Sequence, residues 1–306
     1  MKFSKLVACA AFLLAGSSVF ADTYAVCVGI NDYPTSKNEA GEDVDSDLNG
    51  CVNDAKSMVD LLQTKFNVPA DHIKLLTDGD ATGDGFVAAV KWLIDVAKPG
   101  DQIVFSYSGH GARLDDATAE GGKESCIVLS DFQVVPGNIF KGVSRNLADA
   151  GVSSTFVFDS CFSGGMSRPD MGEFKIKRKS LGDIRMKDVK GIKNRKDFMG
   201  MQARSKAVKE DKGQYVFLFA GKDDQPTIDI TLKDQPAHGL FTMLFLDAIG
   251  QNAATPVKDL FASLNAVLDE INSAIKEKRP DATPFDQKPG FDTSSEDRAE
   301  KPIVIG

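Results

Sequence analysis

Histidine is scarce in this chain, three in 306 residues, and cysteine is little commoner at five. So few imidazoles leave any chemistry that needs a general base with a short field of candidates. The cysteines beyond the N-terminal stretch are Cys27, Cys51, Cys126 and Cys161. They show no zinc-ligand spacing and are too sparse for a disulfide scaffold. Long apolar runs are missing too: nothing approaches the roughly 20 residues that a membrane-spanning helix needs. The one apolar run near the start, Leu6 to Leu14, follows Lys2 and Lys5 and precedes Val19-Phe20-Ala21. That layout reads as a secretory signal over residues 1–21, so a secreted or periplasmic mature protein is expected, with no membrane span. Leu6-Val7-Ala8-Cys9 looks like a lipoprotein box but leaves almost no apolar stretch before its cysteine, and is set aside.

Charge is unevenly spread. The net charge is −8, yet Met166 to Lys212 holds 15 basic against 7 acidic residues, so the rest of the chain sums to −16. This segment has weak apolar periodicity and no strong strand pattern, which reads as a solvated, flexible insert. It is nearly bare of aromatics on which bases could stack, so no nucleic-acid partner is expected.

The stretch STFVFDSCFSGG, Ser154 to Gly165, carries the strongest local signal. Thr155 to Phe158 is the apolar run of a strand buried on both faces, and it breaks into Asp159-Ser160-Cys161 and then Gly164-Gly165. A cysteine at the carboxyl end of a parallel strand stands where open α/β sheets place their ligand crevice. On this stretch alone, an inert packing cysteine and a nucleophile are equally open. His110 tips the balance, because it follows a second buried-strand pattern, Gln102 to Tyr107, 51 residues before Cys161. Caspase-type peptidases place their histidine about 50 residues before the cysteine. His72, in a turn after Pro69-Ala70-Asp71, and His238, in Pro236-Ala237-His238-Gly239 just before a helix, read as solvated rather than catalytic.

SYSGHG at Ser106 to Gly111, together with DSCFSGG at Asp159 to Gly165, resembles the metacaspases, the caspase-like cysteine peptidases of family C14. The resemblance extends through YAVCVGINDY (Tyr24 to Tyr33), LNGCVNDA (Leu48 to Ala55), GDQIVFSYSGHG (Gly100 to Gly111) and FAGKDDQ (Phe219 to Gln225), in the family's order. It implies an α/β fold, a caspase-like α/β/α sandwich with a mainly parallel central sheet. Alternating strand and helix patterns argue for the same class. Strands are read at Tyr24 to Ile30, Ile73 to Leu76, Ser125 to Ser130 and Gln214 to Ala220, and helices at Cys51 to Lys65, from Thr82 through Ala97, Gly239 to Ile249 and Val257 to Lys278. Thr255-Pro256 is the expected cap and first turn of the last helix. The expected organisation is a large-subunit-like part over 22–165, the basic linker over 166–212, a small-subunit-like part over 213–280 and a tail over 281–306. In the tail, the apolar stub Ile303 to Ile305 is open to two readings, an added edge strand or a loose end.

The resemblance also implies roles. Cys161 is the nucleophile and His110 its base and acid, a dyad needing no carboxylate partner. The backbone N–H groups of Gly111 and Cys161 form the oxyanion hole. Cys51, Asp54, Ser108 and Asp159 fall at the family's positions for the pocket that holds the residue before the cut. Two carboxylates there predict protein or peptide substrates cut after Arg or Lys. Taken singly, Asp54 also reads as an exposed helical charge and Asp159 as a structural acceptor. Self-processing within the basic linker is expected, and a monomer. No cofactor is required for the chemistry and no metal site is assigned. Calcium activation is implied for many members, and Asp115, Asp116, Glu120, Glu124 and Asp131 are the oxygen ligands available for it. Where the family often has Asp-Gly followed by Asp-Glu, this chain has Gly121-Gly122-Lys123-Glu124, and the alternative reading is a solvated acidic loop. Two other readings stand beside this one: an inactive caspase-like scaffold that binds a partner protein, and a hydrolase using Ser160 or Ser163, which lacks the G-x-S-x-G elbow.

Overall fold

Val104 and Phe105 are neighbours in one strand, leave it on opposite faces, and are both buried. Apolar residues on both faces of a strand demand helices on both sides of its sheet, and that demand sets the architecture. The computed structural model describes residues 21–37, 43–115, 120–161, 175–184, 190–191, 213–222, 225–232, 234–281, 284–303 and 305. The readings made for the leader up to residue 20, for Ser163, Gly164 and Gly165, and for most of 166–212 lie outside the described residues.

In chain order the elements are β1 (Thr23–Gly29), β2 (Ser36–Lys37), β3 (Asp43–Val44), α1 (Cys51–Lys65), β4 (Ile73–Thr77), α2 (Gly83–Val96), β5 (Gln102–Ser108), β6 (Gly111–Asp115), β7 (Lys123–Val128), β8 (Gln133–Pro136), α3 (Gly137–Asp149) and β9 (Ser153–Asp159). They continue with β10 (Lys175–Arg178), β11 (Ser180–Ile184), β12 (Lys190–Gly191), β13 (Tyr215–Phe219), β14 (Ile228–Thr231), β15 (His238–Gly239), α4 (Leu240–Gln251), α5 (Val257–Lys278), β16 (Gly290–Thr293) and α6 (Glu296–Ala299).

The central sheet runs β16-β13-β9-β5-β1-β4, with β16 antiparallel to β13 and all other neighbours parallel. Phe86, Val90 and Leu93 of α2, with Phe140, Val143 and Leu147 of α3, join Phe105, Phe156 and Phe158 in the core on one face. The other face buries Ala25, Cys27, Val104 and Val157 with Met58 and Leu62 of α1, Phe241 and Phe245 of α4, and Leu264 of α5. Phe105 lies at the centre of the aromatic packing, with ring centroids 5.1 Å from Phe140, 5.9 Å from Phe86 and 6.1 Å from Phe156. The α/β/α sandwich with its mainly parallel sheet is the expected one. Among the described residues no helix is long and apolar enough to cross a membrane.

Among the described residues, two smaller sheets accompany the central one besides the antiparallel pair β2-β3. One has the order β11-β6-β7-β8-β12, with β11 parallel to β6 and β12 parallel to β8; the other has the order β10-β14-β15 and is antiparallel. Three expectations are corrected. Within 166–212, where no strong strand was expected, residues 175–178, 180–184 and 190–191 pair as strands. Backbone pairing along an edge needs no apolar alternation, so composition does not report it. In the tail the edge strand is β16, whereas Ile303 and Ile305 are buried against the α4 and α5 side. Pro256, not Thr255, stands at the α5 N-cap, and its ring has no acceptor for a cap bond; the Thr255 hydroxyl donates to the Asn252 carbonyl at 3.0 Å.

Replacing Phe105 by Ala should therefore cost about 3–5 kcal/mol of unfolding free energy, as for other large-to-small changes in a packed aromatic core. Urea denaturation checks this, and a loss below about 1 kcal/mol would show that the layer does not pack as described.

Candidate active site

Parallel pairing brings the two reactive side chains to one edge. β5 and β9 are in register, ending with Ser108 opposite Asp159, and each chain then runs two residues further, to His110 and to Cys161. Two tyrosines fix the His110 backbone: its N–H donates to the Tyr33 hydroxyl at 2.9 Å, and its carbonyl lies 2.8 Å from the Tyr107 hydroxyl. The ring's Nε2 is 2.6 Å from the Ser46 carbonyl oxygen. A carbonyl only accepts, so in the neutral ring the proton sits on Nε2 and Nδ1 carries the free lone pair. Among the described residues Nδ1 has no hydrogen-bond partner. Burial lowers the His110 pKa to about 4 despite the Ser46 carbonyl, Asp229 and the Lys179 carbonyl, which all favour the charged ring; the Lys179 ammonium adds to the lowering. At neutral pH the imidazole is an uncharged base.

Beside these two lies a buried nest of acids. Asp54 projects from the first turn of α1, where a carboxylate complements the helix dipole. The Asn31 side chain, accepting from the Cys51 N–H at 2.9 Å, holds that turn in place. The Asp54 carboxylate accepts from the Ser108 hydroxyl at 2.6 Å, from the Gly239 N–H at 3.0 Å, and lies 3.0 Å from His238 Nδ1. Asp159 ends β9 and accepts from the Thr242 N–H at 3.0 Å and its hydroxyl at 2.6 Å. A third carboxylate, Asp229 of β14, accepts from the N–H groups of Asn49 at 2.9 Å and Gly50 at 2.8 Å. Cys51 Sγ stands 3.9 Å from it, and burial first, then the charge of Asp229, push that thiol well above its ordinary range.

One cation answers all three acids, and it comes from the same chain. Lys179 Nζ lies 3.1 Å from Asp54, 3.1 Å from Asp159 and 3.3 Å from Asp229, and donates to the Ser108 hydroxyl at 2.8 Å. The side chain is completely buried. Burial alone would lower its pKa, but Asp159, Cys51, Asp54 and Asp229 hold it well above the usual lysine value. Burial works against ionised Asp54, but the Lys179 charge and the hydrogen bonds from His238, Ser108 and Lys179 win, and its pKa is lowered. Asp159 goes the other way, raised by burial and by the neighbouring Asp54 charge in spite of Lys179 and Thr242. Asp54, Asp229 and Cys51 also offer atoms within 4.8 Å of one another, a spacing a metal ion would suit, but the ammonium takes that position.

The Lys179 backbone is placed just as definitely. Its carbonyl oxygen accepts from the Gly111 N–H at 2.9 Å and the Cys161 N–H at 3.2 Å. A carbonyl held by two N–H groups, with a thiol on the second residue and an imidazole alongside, is the arrangement in which an acyl carbon is open to attack. Gly239 must be glycine for this to fit, because a Cβ there would collide with the Asp159 carboxylate and Lys179 Nζ.

All the sequence-assigned residues thus gather in one place: His110, Gly111 and Cys161 around a carbonyl, and Cys51, Asp54, Ser108 and Asp159 around an ammonium. Asp54 is buried rather than an exposed helical charge, and Asp159 holds Thr242 as well as facing the cation. Neither His72 nor His238 is merely solvated: His72 stacks on Tyr24 and His238 bonds Asp54. Sequence reasoning missed Lys179, Ser46, Asp229 and Gly239. An acid between two isoleucines, Ile228-Asp229-Ile230, was a usable signal; one lysine among 15 basic residues was not. Of the acids proposed for calcium, Asp131 and Glu124 accept from backbone N–H groups at the starts of α2 and α3, and Asp115 lies 3.7 Å from Lys123. Asp116 and the Glu120 side chain fall outside the described residues.

Residues 24–168 match the family model described as metacaspase, peptidase C14 domain. Metacaspase-1A of Aspergillus oryzae is 26% identical over 288 residues, 83% of this chain and 66% of its own length. Metacaspase-1B of Neurospora crassa is 27% identical over 292 residues, 83% and 65%. Metacaspase-6 of Arabidopsis thaliana is 34% identical over 170 residues, 52% and 44%. The chain spans about two thirds of the length of the first two of these relatives. A crystal structure of a protein from Geobacter sulfurreducens shares the fold, with a TM-score of 0.58 at 20% identity over 93% of this chain and 99% of that one.

Two outcomes are expected from the geometry. Gly239→Ala should expel the Lys179 ammonium and strand buried carboxylates, a loss of about 3–5 kcal/mol in urea denaturation; unchanged stability would mean that the ammonium does not sit there. His110 binds no proton in the folded chain until about pH 4, whereas an unfolded histidine binds one near pH 6.5. Unfolding therefore takes up a proton in this window, and stability falls as pH drops through it. In His110→Gln that slope should be shallower by one proton, measured from urea midpoints between pH 4 and 7.

Proposed function

Because the chain belongs to the metacaspases of peptidase family C14, we propose that it is a cysteine endopeptidase that cuts peptide bonds after Lys or Arg and processes itself within its basic linker. Lys179 carries this reading: a basic side chain fills the acidic nest while its own carbonyl rests on the N–H groups of Gly111 and Cys161. In this reading Cys161 attacks that carbonyl carbon, and His110 takes the thiol proton on Nδ1 and passes it to the departing amine. The two N–H groups stabilise the oxyanion, which draws closer to both as charge builds on it. Water then hydrolyses the thioester, with His110 again as base. These steps use no cofactor.

Specificity follows from charge. Asp54, Asp159 and Asp229 converge on one position with a hydroxyl from Ser108. A lysine or an arginine entering there meets charge-assisted acceptors, and a guanidinium has five donors to offer them. An aspartate would add a fourth carboxylate to three with little water to separate them. Protein or peptide substrates with Arg or Lys before the cut are the partners this implies. The leader-like first 21 residues assign them to the periplasm or the exterior.

A fluorogenic peptide ending in Arg should be hydrolysed at least about a thousandfold faster, in kcat/KM, than the same peptide ending in Asp, given several kcal/mol for burying an unpaired charge. Equal rates, or preference for Asp, would sink the pocket assignment. Cys161→Ala should abolish hydrolysis of both; activity surviving in that variant would favour one of the neighbouring serines.

A further inference from the structure

Residues 175–184 lie in the site as a substrate would. Lys175–Arg178 add antiparallel to β14, from Lys175 opposite Thr231 to Arg178 opposite Ile228, and the Lys179 N–H continues the ladder to the Thr227 carbonyl at 3.2 Å. Past Lys179 the chain joins a different sheet: Ser180 lies opposite Gly111, and Asp183 and Ile184 lie parallel to Arg113 and Leu114 of β6. Lys177 Nζ donates to the Asp47 carbonyl at 2.7 Å, so the segment's positive charge is used at a second position, against the acidic stretch Asp43 to Asp47. Strand addition to a sheet edge is how extended peptides are held, with alternate side chains sent into pockets. Here the addition occurs on both sides of one peptide bond, and that bond is the one whose carbonyl rests on Gly111 and Cys161. With the segment in place Cys161 is 1% exposed and His110 3%, so no second peptide reaches either.

We propose that Lys179–Ser180 is the bond this chain cuts in itself, and that residues 175–184, gripped as strand on both sides of it, close the site to other substrates until the cut is made. The proposal rests on the peptidase reading above and selects one bond from a segment holding 15 basic residues. The cut forms a bond from Cys161 Sγ to the Lys179 carbonyl carbon and breaks the bond from that carbon to the Ser180 nitrogen. The thiol proton moves through His110 to that nitrogen, which leaves as the amine of a new N-terminus. One water then splits the thioester, leaving a carboxylate on Lys179 and restoring the thiol. Because the bond already lies at the nucleophile, the cut is intramolecular.

The test is mass spectrometry and N-terminal sequencing of the purified full chain, followed in time beside Cys161→Ala and scored in parallel for hydrolysis of the Arg peptide. Support consists of a first new N-terminus at Ser180 that is absent in Cys161→Ala. The fraction cut per minute should be unchanged on tenfold dilution, and peptide hydrolysis should rise in step with the cut. Lys179→Arg should still be cut, and Lys179→Gln should be cut about a hundredfold more slowly, the loss seen when one partner of a buried charged contact is removed; the arginine variant guards against misfolding. A first cut elsewhere in 166–212, or a rate proportional to protein concentration, overturns the proposal. So does full peptide hydrolysis with Lys179–Ser180 intact, and in that case the peptidase reading survives. A chain that neither cuts itself nor hydrolyses the peptide ends both.

Discussion

A single ammonium set among three carboxylates, all without contact to solvent, is the constraint to which the rest of this molecule answers. A buried ion pair is weak evidence for stability in itself, since desolvation of each charge offsets most of the attraction. Its weight lies in the alternative. Without the cation, three negative groups face one another in a medium that screens them poorly, so the nest strongly prefers a positive occupant and rejects a negative one. The acids are not equal in this. Asp54 collects donors from Ser108, Gly239, His238 and Lys179 and stays ionised, while Asp159 has Thr242 and Lys179 and also feels Asp54. When the ammonium withdraws, Asp159 takes a proton more readily than Asp54.

The fold assembles this nest from five distant parts of the chain, and the parallel sheet makes that possible. Because β5 and β9 run the same way in register, the residues that follow them leave together at one edge. Ser108 and Asp159 close the strands on the pocket side, and His110 and Cys161 emerge two residues later on the side of the Lys179 carbonyl. The α1 helix brings Asp54 in its first turn, and β14 and β15 bring Asp229 and the small Gly239. No loop has to hold a charged group in place unaided. Each carboxylate is fixed by backbone N–H groups or hydroxyls that it needs for its own solvation, so positioning for charge and satisfaction of hydrogen bonds are one requirement.

Much of this was legible in the sequence, for reasons that differ by element. The central strands announce themselves because burial on both faces leaves unbroken apolar runs such as Thr155 to Phe158, and α1 and α5 because their apolar positions recur at helical spacing. The helix over 137–149 drew no reading: its buried residues are interrupted by Gly, Asn, Lys and Arg, and Pro136-Gly137 reads as a turn. His110 and Cys161 were visible because each ends a strand in a glycine-rich block. Lys179 was not, since its role comes from pairing more than a hundred residues from Asp54, and Asp229 offered only the weaker signal of an acid between two isoleucines. A basic segment of low apolar content looks like a solvated linker whether or not part of it lies in a cleft. Only backbone pairing, which composition does not record, separates the two.

The two halves of residues 175–184 are not held alike, and for the proposed self-cleavage the difference bears on how acyl transfer finishes. On the side of β10 the ladder is regular from Lys175 to Arg178, and Lys179 adds its ion pairs at the end. On the side of β11 the register slips between Ser180 and Asp183, so that three residues of the segment span two of β6. Such a bulge breaks the ladder locally and leaves one residue unpaired. The slip falls immediately after the bond that rests on Gly111 and Cys161. In the proposed cut, the half that departs as an amine is therefore the weaker-held one where it leaves, and the half that stays as the acyl group is held by its side chain as well as its backbone. Water has to approach the carbonyl from the departing side. A grip that fails first on that side opens the path for water while the acyl carbon remains on its two N–H groups.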